Sequence, residues 1–231
     1  QNINYETELR YKRKCIQNAF RCNYPDFSGE IPEVIASPVI MGYRNKVQYP
    51  LSGDGSFGFF AKRSHRIVTV DRCNLQDEMF GEIIAAVERY IKKFNISPYD
   101  EKTGTGLLRH LYLRKAHSTG EIMVCLVATS SNLPHKEQLT SALSACEGVT
   151  SIYLNVNKNQ GNVILGRECI PIWGNEAIND ILCGLKFKIS PLSFYQINSA
   201  QTENLYNYIA NSGFLSKDDV LLDICSGIGT I

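Results

Sequence analysis

"DVLLDICSGIGTI", residues 219–231, closes the sequence, and its reading decides the fold class. Val220, Leu221, Leu222 and Ile224 make a short apolar run of the kind that forms a fully buried strand. Gly227 and Gly229 follow within a few residues. Glycine lacks a Cβ and accepts positive φ, so a glycine loop after a strand lets backbone come close to a ligand. A buried strand that opens into such a loop begins an α/β nucleotide- or cofactor-binding unit. Dinucleotide loops use G-x-G-x-x-G, and only two of those glycines can be read here. A cofactor loop, another nucleotide fold and a chance strand-turn all remain open at this point.

Working back from that loop, "SAQTENLYNYIANSGF" predicts a helix starting at Asn198 or Ser199, with Gly213 as its C-cap. "LKFKISPLSFYQIN" alternates and stops at Pro191. Residues 186–231 thus read as the start of a second α/β domain. Residues 4–21 predict a helix, with Tyr5, Leu9, Ile16 and Phe20 near helical spacing. We assign residues 1–36 to an N-terminal helical segment and residues 37–185 to a central domain.

The central domain alternates between periods. A strand is expected over residues 43–49. The turn "SGDGS" should pair residues 57–61 antiparallel with that strand. "RIVTV" reads as another strand. "QDEMFGEIIAAVERYIKKFN" places Phe80, Ile83, Ile84, Val87 and Ile91 on one helical face. "GLLRHLYLRKA" alternates as a strand, "GEIMVCLVAT" reads as a buried strand, "HKEQLTSALSAC" as a helix and "VTSIYLNVNK" as a strand. "GNVILGRE" should begin a further strand. The fold class is α/β: an α+β central domain with a mostly antiparallel sheet, then the opening of a doubly wound unit.

Composition narrows the function classes. The chain has 231 residues, 44% hydrophobic and 20% charged, with net charge +1, which predicts a folded chain. It contains no apolar stretch long enough to span a bilayer as a helix, and "QNINYETELRYKRK" lacks the apolar core of a signal peptide. A cytoplasmic protein is expected. Basic residues cluster in "RYKRK", "AKRSHR" and "RHLYLRKAH". Such clusters are ordinarily solvated surface, but together they also suit an anionic partner such as RNA. The eight cysteines include no C-x-x-C pair, so a self-contained zinc site is not expected. Cys125 and Cys183 lie in apolar runs and read as core.

The glycine loop and four further segments carry a family resemblance. An acid, Asp223, ahead of x-x-x-G-x-G resembles motif I of the S-adenosylmethionine (SAM) methyltransferases. "SPLSFYQINSAQTENLY" resembles the F-x-Q-x-N segment of the RNA uracil-C5-methyltransferases. "GYRNKVQYP" resembles that family's Y-R-N-K stretch. "GFFAKRSHRIVTVDRCNLQ" resembles its G-F-[FY]-x-x-x-S-H-x-I-V segment, and "GLLRHLYLR" its L-R-H-L-x-x-R strand. The order matches across nearly the whole chain and is most similar to the bacterial enzymes that make 5-methyluridine in large-subunit (23S) ribosomal RNA, with transfer RNA as an alternative substrate.

The resemblance implies a Rossmann-like SAM domain after residue 186. Its cofactor contacts would be Gln196, Asp223, Cys225, Gly227, Gly229 and Thr230, although the family often has an aromatic residue where Cys225 stands. Cys73 falls at the last of four cysteines that hold a 4Fe-4S cluster in the ribosomal-RNA members. Cluster iron commonly takes four thiolates, so a cluster is expected only in a longer protein. Arg44, Lys46, Lys62, Arg109 and Arg114 are the expected RNA contacts, since Arg and Lys position phosphate backbones. Tyr43 and Phe194 could stack on bases but read more readily as core.

In the family a cysteine thiolate adds to uracil C6, C5 accepts the methyl group, and a glutamate removes the C5 proton before the cysteine leaves. Both catalytic residues follow motif I in the family, so no catalytic residue is assigned among the residues of this chain. We expect an internal fragment of a longer enzyme, inactive alone and, after about residue 186, loosely held or paired with another chain. A non-catalytic RNA-binding module is the alternative.

Overall fold

The computed structural model describes residues 3–70, 72–213, 216 and 218–230. The chain divides into two compact units, one through Ile40 and one from Met41. In the first, α1 (Tyr5–Asn23) is capped by the Asn4 side chain, which accepts from the Thr7 N–H. Glu6 and Glu8 sit in its first turn and Arg21 in its last, matching the helix dipole. The following segment folds back: Arg13 donates twice to the Ile31 carbonyl at 3.0 and 2.7 Å, and Ser37 N–H donates to Tyr5 Oη. No residue of α1 is fully buried.

The second unit contains β1 (Lys46–Pro50), β2 (Gly58–Phe60), β3 (Ile67–Thr69), α2 (Phe80–Phe94), β4 (Leu108–Lys115) and β5 (Ile122–Ala128). It continues with α3 (Lys136–Ser144), β6 (Val149–Val156), β7 (Glu168–Gly174), β8 (Ile178–Leu182), β9 (Leu185–Ile189) and α4 (Ser199–Ala210). The central sheet runs β1-β4-β5-β6-β7. Every pair in it is antiparallel except β5–β6, which α3 joins as a crossover. The mixed α/β class with a mostly antiparallel sheet therefore holds.

Both faces of the sheet are covered, which explains the unbroken apolar run of β5. Val124 and Leu126 face a core shared with Ile83 and Val87 of α2 and with Leu139 and Leu143 of α3. Met123 and Cys125 point the other way, onto Ile178, Leu182, Ile189 and Tyr195. The β8–β9 hairpin thus closes the second face.

Several expectations change. The SGDGS turn forms, with Ser52 N–H donating to the Ser56 carbonyl, but only the Leu51–Phe57 bridge follows it. β2 pairs with β3 instead. β3 lies so close that a Cβ on Gly58 would meet the Val68 carbonyl oxygen at 2.2 Å. The strand expected from "GNVILGRE" begins only at Glu168, because side chains take the backbone groups ahead of it. Asn157 Nδ2 donates to the Val163 and Ile164 carbonyls at 2.6 and 3.0 Å, and Asn155 exchanges bonds with Gly166.

Cys183 is exposed rather than core. With Gly184 it forms the two-residue β8–β9 turn, with φ of 50° and 79°, the geometry that suits the twist of a hairpin. Residue 186, where the second domain was placed, lies in β9 of that hairpin. The segment after it is also anchored: Ile189 and Tyr195 are buried. α4 ends at Ala210 with Asn211 as its C-cap, two residues before Gly213. The apolar run at residues 220–224 forms no strand; Val220 is 97% exposed. Parallel strands need cover on both faces, and no strand of this chain flanks it among the described residues.

Candidate cofactor segment and nucleic-acid surface

The segment carrying Gln196 is held from three sides by buried polar side chains. Asn45 N–H donates to the Ile197 carbonyl at 3.0 Å. Its Nδ2 donates to the Gln196 carbonyl at 2.7 Å and to Ser199 Oγ at 3.1 Å. Arg44 forms an antiparallel bridge with Asn198 and a parallel one with Gln76. The Y-R-N-K and F-x-Q-x-N segments, whose bonded residues Asn45 and Gln196 lie 151 positions apart in sequence, therefore form one junction.

Arg114 grips the same segment from beneath. Its NH1 donates to the Ser193 carbonyl at 2.9 Å and the Ser190 carbonyl at 3.4 Å. Burial holds its pKa below the usual arginine value. Asp180, fully buried, supplies the third hold. Its carboxylate accepts from the N–H groups of His117, Ser118 and Ile181 and from Tyr195 Oη, all at 2.8–3.2 Å. Burial, then the Asp180 charge, pushes the Tyr195 hydroxyl pKa up, so Tyr195 stays a donor. Sequence reading missed Asn45, Asp180 and Tyr195 as site residues. Asn45 sat inside a quoted motif; nothing in "NDIL" marks Asp180.

Gln196 itself is half-buried. The glycine loop curls through left-handed residues at alternate positions: Cys225, Gly227 and Gly229 have φ of 72°, 61° and 72°. Gly229 N–H donates to the Ser226 carbonyl at 2.9 Å, and a Cβ on Gly229 would enter open space. Thr230 Oγ1 lies 3.1 Å from Tyr206 Oη of α4, and Ile228 packs against the second core. Asp223 and Cys225 are exposed. An open, curled glycine backbone beside a hydroxyl suits a polar ligand such as the methionine part of SAM, so the donor set fits that cofactor.

The five expected RNA contacts separate into two kinds. Arg109 and Arg114 are buried, 4% and 2% exposed, and their guanidinium NH1 groups serve backbone carbonyls. Arg109 donates to the Asn157 and Asn159 carbonyls at 2.9 and 2.7 Å. These two arginines hold the fold; the spacing of a strand does not distinguish a buried arginine from a surface one. Lys62 is exposed, and Arg44 and Lys46 are half-buried. Burial, then Arg114 and Arg44, lowers the Lys46 pKa. Phe194, expected in the core, is 67% exposed, whereas Tyr43 is half-buried.

Cys73 is a half-buried free thiol. It lines clefts with Gln76 and Asp77, but among the described residues no three His, Cys, Asp or Glu side chains group to hold a metal. No helix among them is long and apolar enough to cross a membrane.

Comparison with known proteins sharpens this picture. No protein-family model matches the sequence. An uncharacterized RNA methyltransferase of Clostridium tetani is 42% identical over 235 residues, covering all of this chain and 51% of that protein. One from Clostridium acetobutylicum is 40% identical over 237 residues, covering 52% of its length. One from Staphylococcus epidermidis is 38% identical over 236 residues. Among solved structures, the tRNA (uracil-54, C5)-methyltransferase of Pyrococcus abyssi in complex with S-adenosyl-L-homocysteine matches with a TM-score of 0.81 and 31% identity. That match covers 100% of this chain and 52% of the other.

The fold and sequence together define a relative of RNA methyltransferases along the entire chain. Its full length is similar to parts of bacterial RNA methyltransferases and of a tRNA uracil-C5-methyltransferase. It spans about half the length of the curated relatives it matches.

Proposed function

We propose that this chain is the central RNA-docking domain and the first part of the cofactor domain of an enzyme that methylates uridine C5 in RNA. The observation that carries the proposal is the junction of Asn45 with residues 196–199, which joins a segment flanked by Arg44 and Lys46 to the segment of Gln196. SAM, when bound, supplies an electrophilic methyl group. Gln196, Asp223, Cys225, Gly227, Gly229 and Thr230 would hold it: the amide of Gln196 can donate and accept, and the glycines, lacking a Cβ, let a ligand come close to the backbone. Asn45, Arg114 and Asp180 keep the backbone of Gln196 in place. Arg44, Lys46 and Lys62 would position the RNA phosphates.

The finer parts of the proposal concern the whole protein. The substrate is 23S ribosomal RNA rather than transfer RNA, and uridine is activated by a cysteine adduct at C6, with the cysteine and the base contributed from outside this chain. Cys73 would bind iron only if three further thiolates joined it. The protein is expected to work in the cytoplasm.

The test is to incubate the full-length protein with unmodified 23S ribosomal RNA, unmodified transfer RNA and SAM, then digest and quantify nucleosides by mass spectrometry. New 5-methyluridine in the ribosomal RNA is expected. The same product only in transfer RNA would overturn the substrate choice. No 5-methyluridine in either would overturn the enzyme reading. RNA carrying 5-fluorouridine, which cannot lose a C5 proton, should remain covalently attached through a cysteine; failure to trap such a complex would remove the adduct mechanism.

A further inference from the structure

A cleft of about 280 Å³ opens between the end of β1, the β2–β3 hairpin and the loop before β4. It is near the lower end of the roughly 300–1,000 Å³ range of small-ligand pockets, a size for one base. We propose that it receives an unstacked base of single-stranded RNA, with the flanking phosphates on the cations of the β2–β3 turn. This rests on the RNA reading above and assigns phosphate docking to the cations of residues 62–66, with Arg109 only a buried wall of the cleft and Arg114 outside it.

The walls are aromatic. Phe60 is 40% exposed, and its ring lies 5.5 Å from that of His65, tilted by 57°. Across the cleft the Arg109 guanidinium lies over the Tyr99 ring at 4.4 Å. Base stacking on aromatic and guanidinium planes is the sequence-tolerant mode of single-strand binding.

The floor owes its shape to an irregularity in β4. The register against β5 shifts between Leu108 and His110. Leu108 and Leu111 both face the core, and Arg109 and His110 both line the cleft. A bulge re-aims consecutive side chains in this way. His110 is buried, and burial with the adjacent Arg109 lowers its pKa to about 4, so it presents a neutral ring. Arg109 is 4% exposed; its NH1 donates to two backbone carbonyls and its guanidinium lies over Tyr99, so it acts as a rigid wall of the cleft.

The rim is mixed in charge but weighted to cations. Asp100 and Glu101 line it. Glu101 is paired with His65 at 2.7 Å, and Asp100 accepts from the Lys102 N–H. Lys62, Arg63 and Arg66 are exposed on the neighbouring turn, which is fixed by the Ala61–Arg66 and Ser64–Ala61 backbone bonds at 2.8 and 3.0 Å. Nothing in composition singled out this basic cluster from the other two; the adjacent exposed Phe60 does.

The experiment is fluorescence anisotropy of labelled octauridylate and of an RNA duplex with this chain, in about 50 mM salt where phosphate contacts count most. Octauridylate should bind more tightly than duplex. Phe60→Ala should weaken octauridylate binding about tenfold, the scale of one lost stacking partner, and Phe60→Trp should restore it. Lys92→Ala, on the exposed side of α2, should leave binding unchanged. Duplex binding as tight as single-strand binding, an unchanged Phe60→Ala affinity, or equal loss in Phe60→Ala and Phe60→Trp would each overturn the cleft while leaving the RNA reading standing. Absence of binding to any RNA by the unsubstituted chain would overturn both.

Discussion

Residues 122–128, "IMVCLVA", and residues 220–224, "VLLDI", are alike in apolar content and opposite in fate. Every residue of the first is 0% exposed. In the second, Val220, Leu221, Leu222 and Ile224 are 97%, 65%, 78% and 77% exposed. β5 has β4 and β6 at its edges, helices on one face and the β8–β9 hairpin on the other. Residues 220–224 have no such neighbours among the described residues. An apolar run records a capacity to be buried; the burial is supplied by other segments. Each large side chain so covered contributes about 1.5–3 kcal/mol.

The largest contrast between these regions should come from truncating their leucines. Leu126→Ala should cost about 2–5 kcal/mol, the range for a fully enclosed leucine, as a lower urea midpoint. Leu222→Ala in the same chain should shift stability by no more than about 0.5 kcal/mol. Equal effects would show that residues 220–224 are covered in solution and would erase the distinction.

Asp180 tests whether the segment between the two regions belongs to the buried one. Asp180→Ala would strand three backbone donors and the Tyr195 hydroxyl. The expected cost is about 3 kcal/mol, with faster hydrogen exchange in residues 117–119 and 195–199. A change confined to residues beyond 210 would place the hairpin with the exposed tail instead.

His110 gives a pH signature for the sheet. Its folded pKa, about 4, lies below its ordinary 6.5. The unfolded chain therefore takes up the proton first as pH falls. Stability from this residue is intact above about pH 6.5 and declines to a floor below about pH 4, by up to about 3 kcal/mol. Urea unfolding across that window should show this slope, and His110→Phe should flatten it. Identical slopes in both proteins would mean that His110 is solvated.

A smaller loss than those at Asp180 and His110 is expected at the junction. Asn45→Ala removes the bonds to Gln196 and Ser199 and should cost about 1–2 kcal/mol. Hydrogen exchange should quicken at residues 196–199 while β5 stays protected. Unchanged exchange there would detach Asn45 from the cofactor segment.

The two-faced burial of β5 was legible because its run is long and bounded by turns, and α2 because its apolar residues recur at helical spacing. The β8–β9 hairpin was missed although Cys183-Gly184 is a two-residue turn; its apolar neighbours masked the signal. The late start of β7 was not legible, since it depends on Asn155 and Asn157 capturing carbonyls that only folding brings near. Motif order within the sequence was enough to indicate the family, because the motifs are local. It could not separate Lys62, left in solvent, from Arg109 and Arg114, which serve buried carbonyls.

The sequence by itself determined most element types, the mostly antiparallel α/β class and the family motifs, since periodicity, turn chemistry and glycine placement act within a few residues. Only the tertiary structure decided which arginines are structural, that Asn45 meets Gln196, that β4 bulges to open a cleft, and that the last apolar run is left uncovered. Each of these depends on which distant segments come within hydrogen-bonding or packing distance, and no local pattern encodes that.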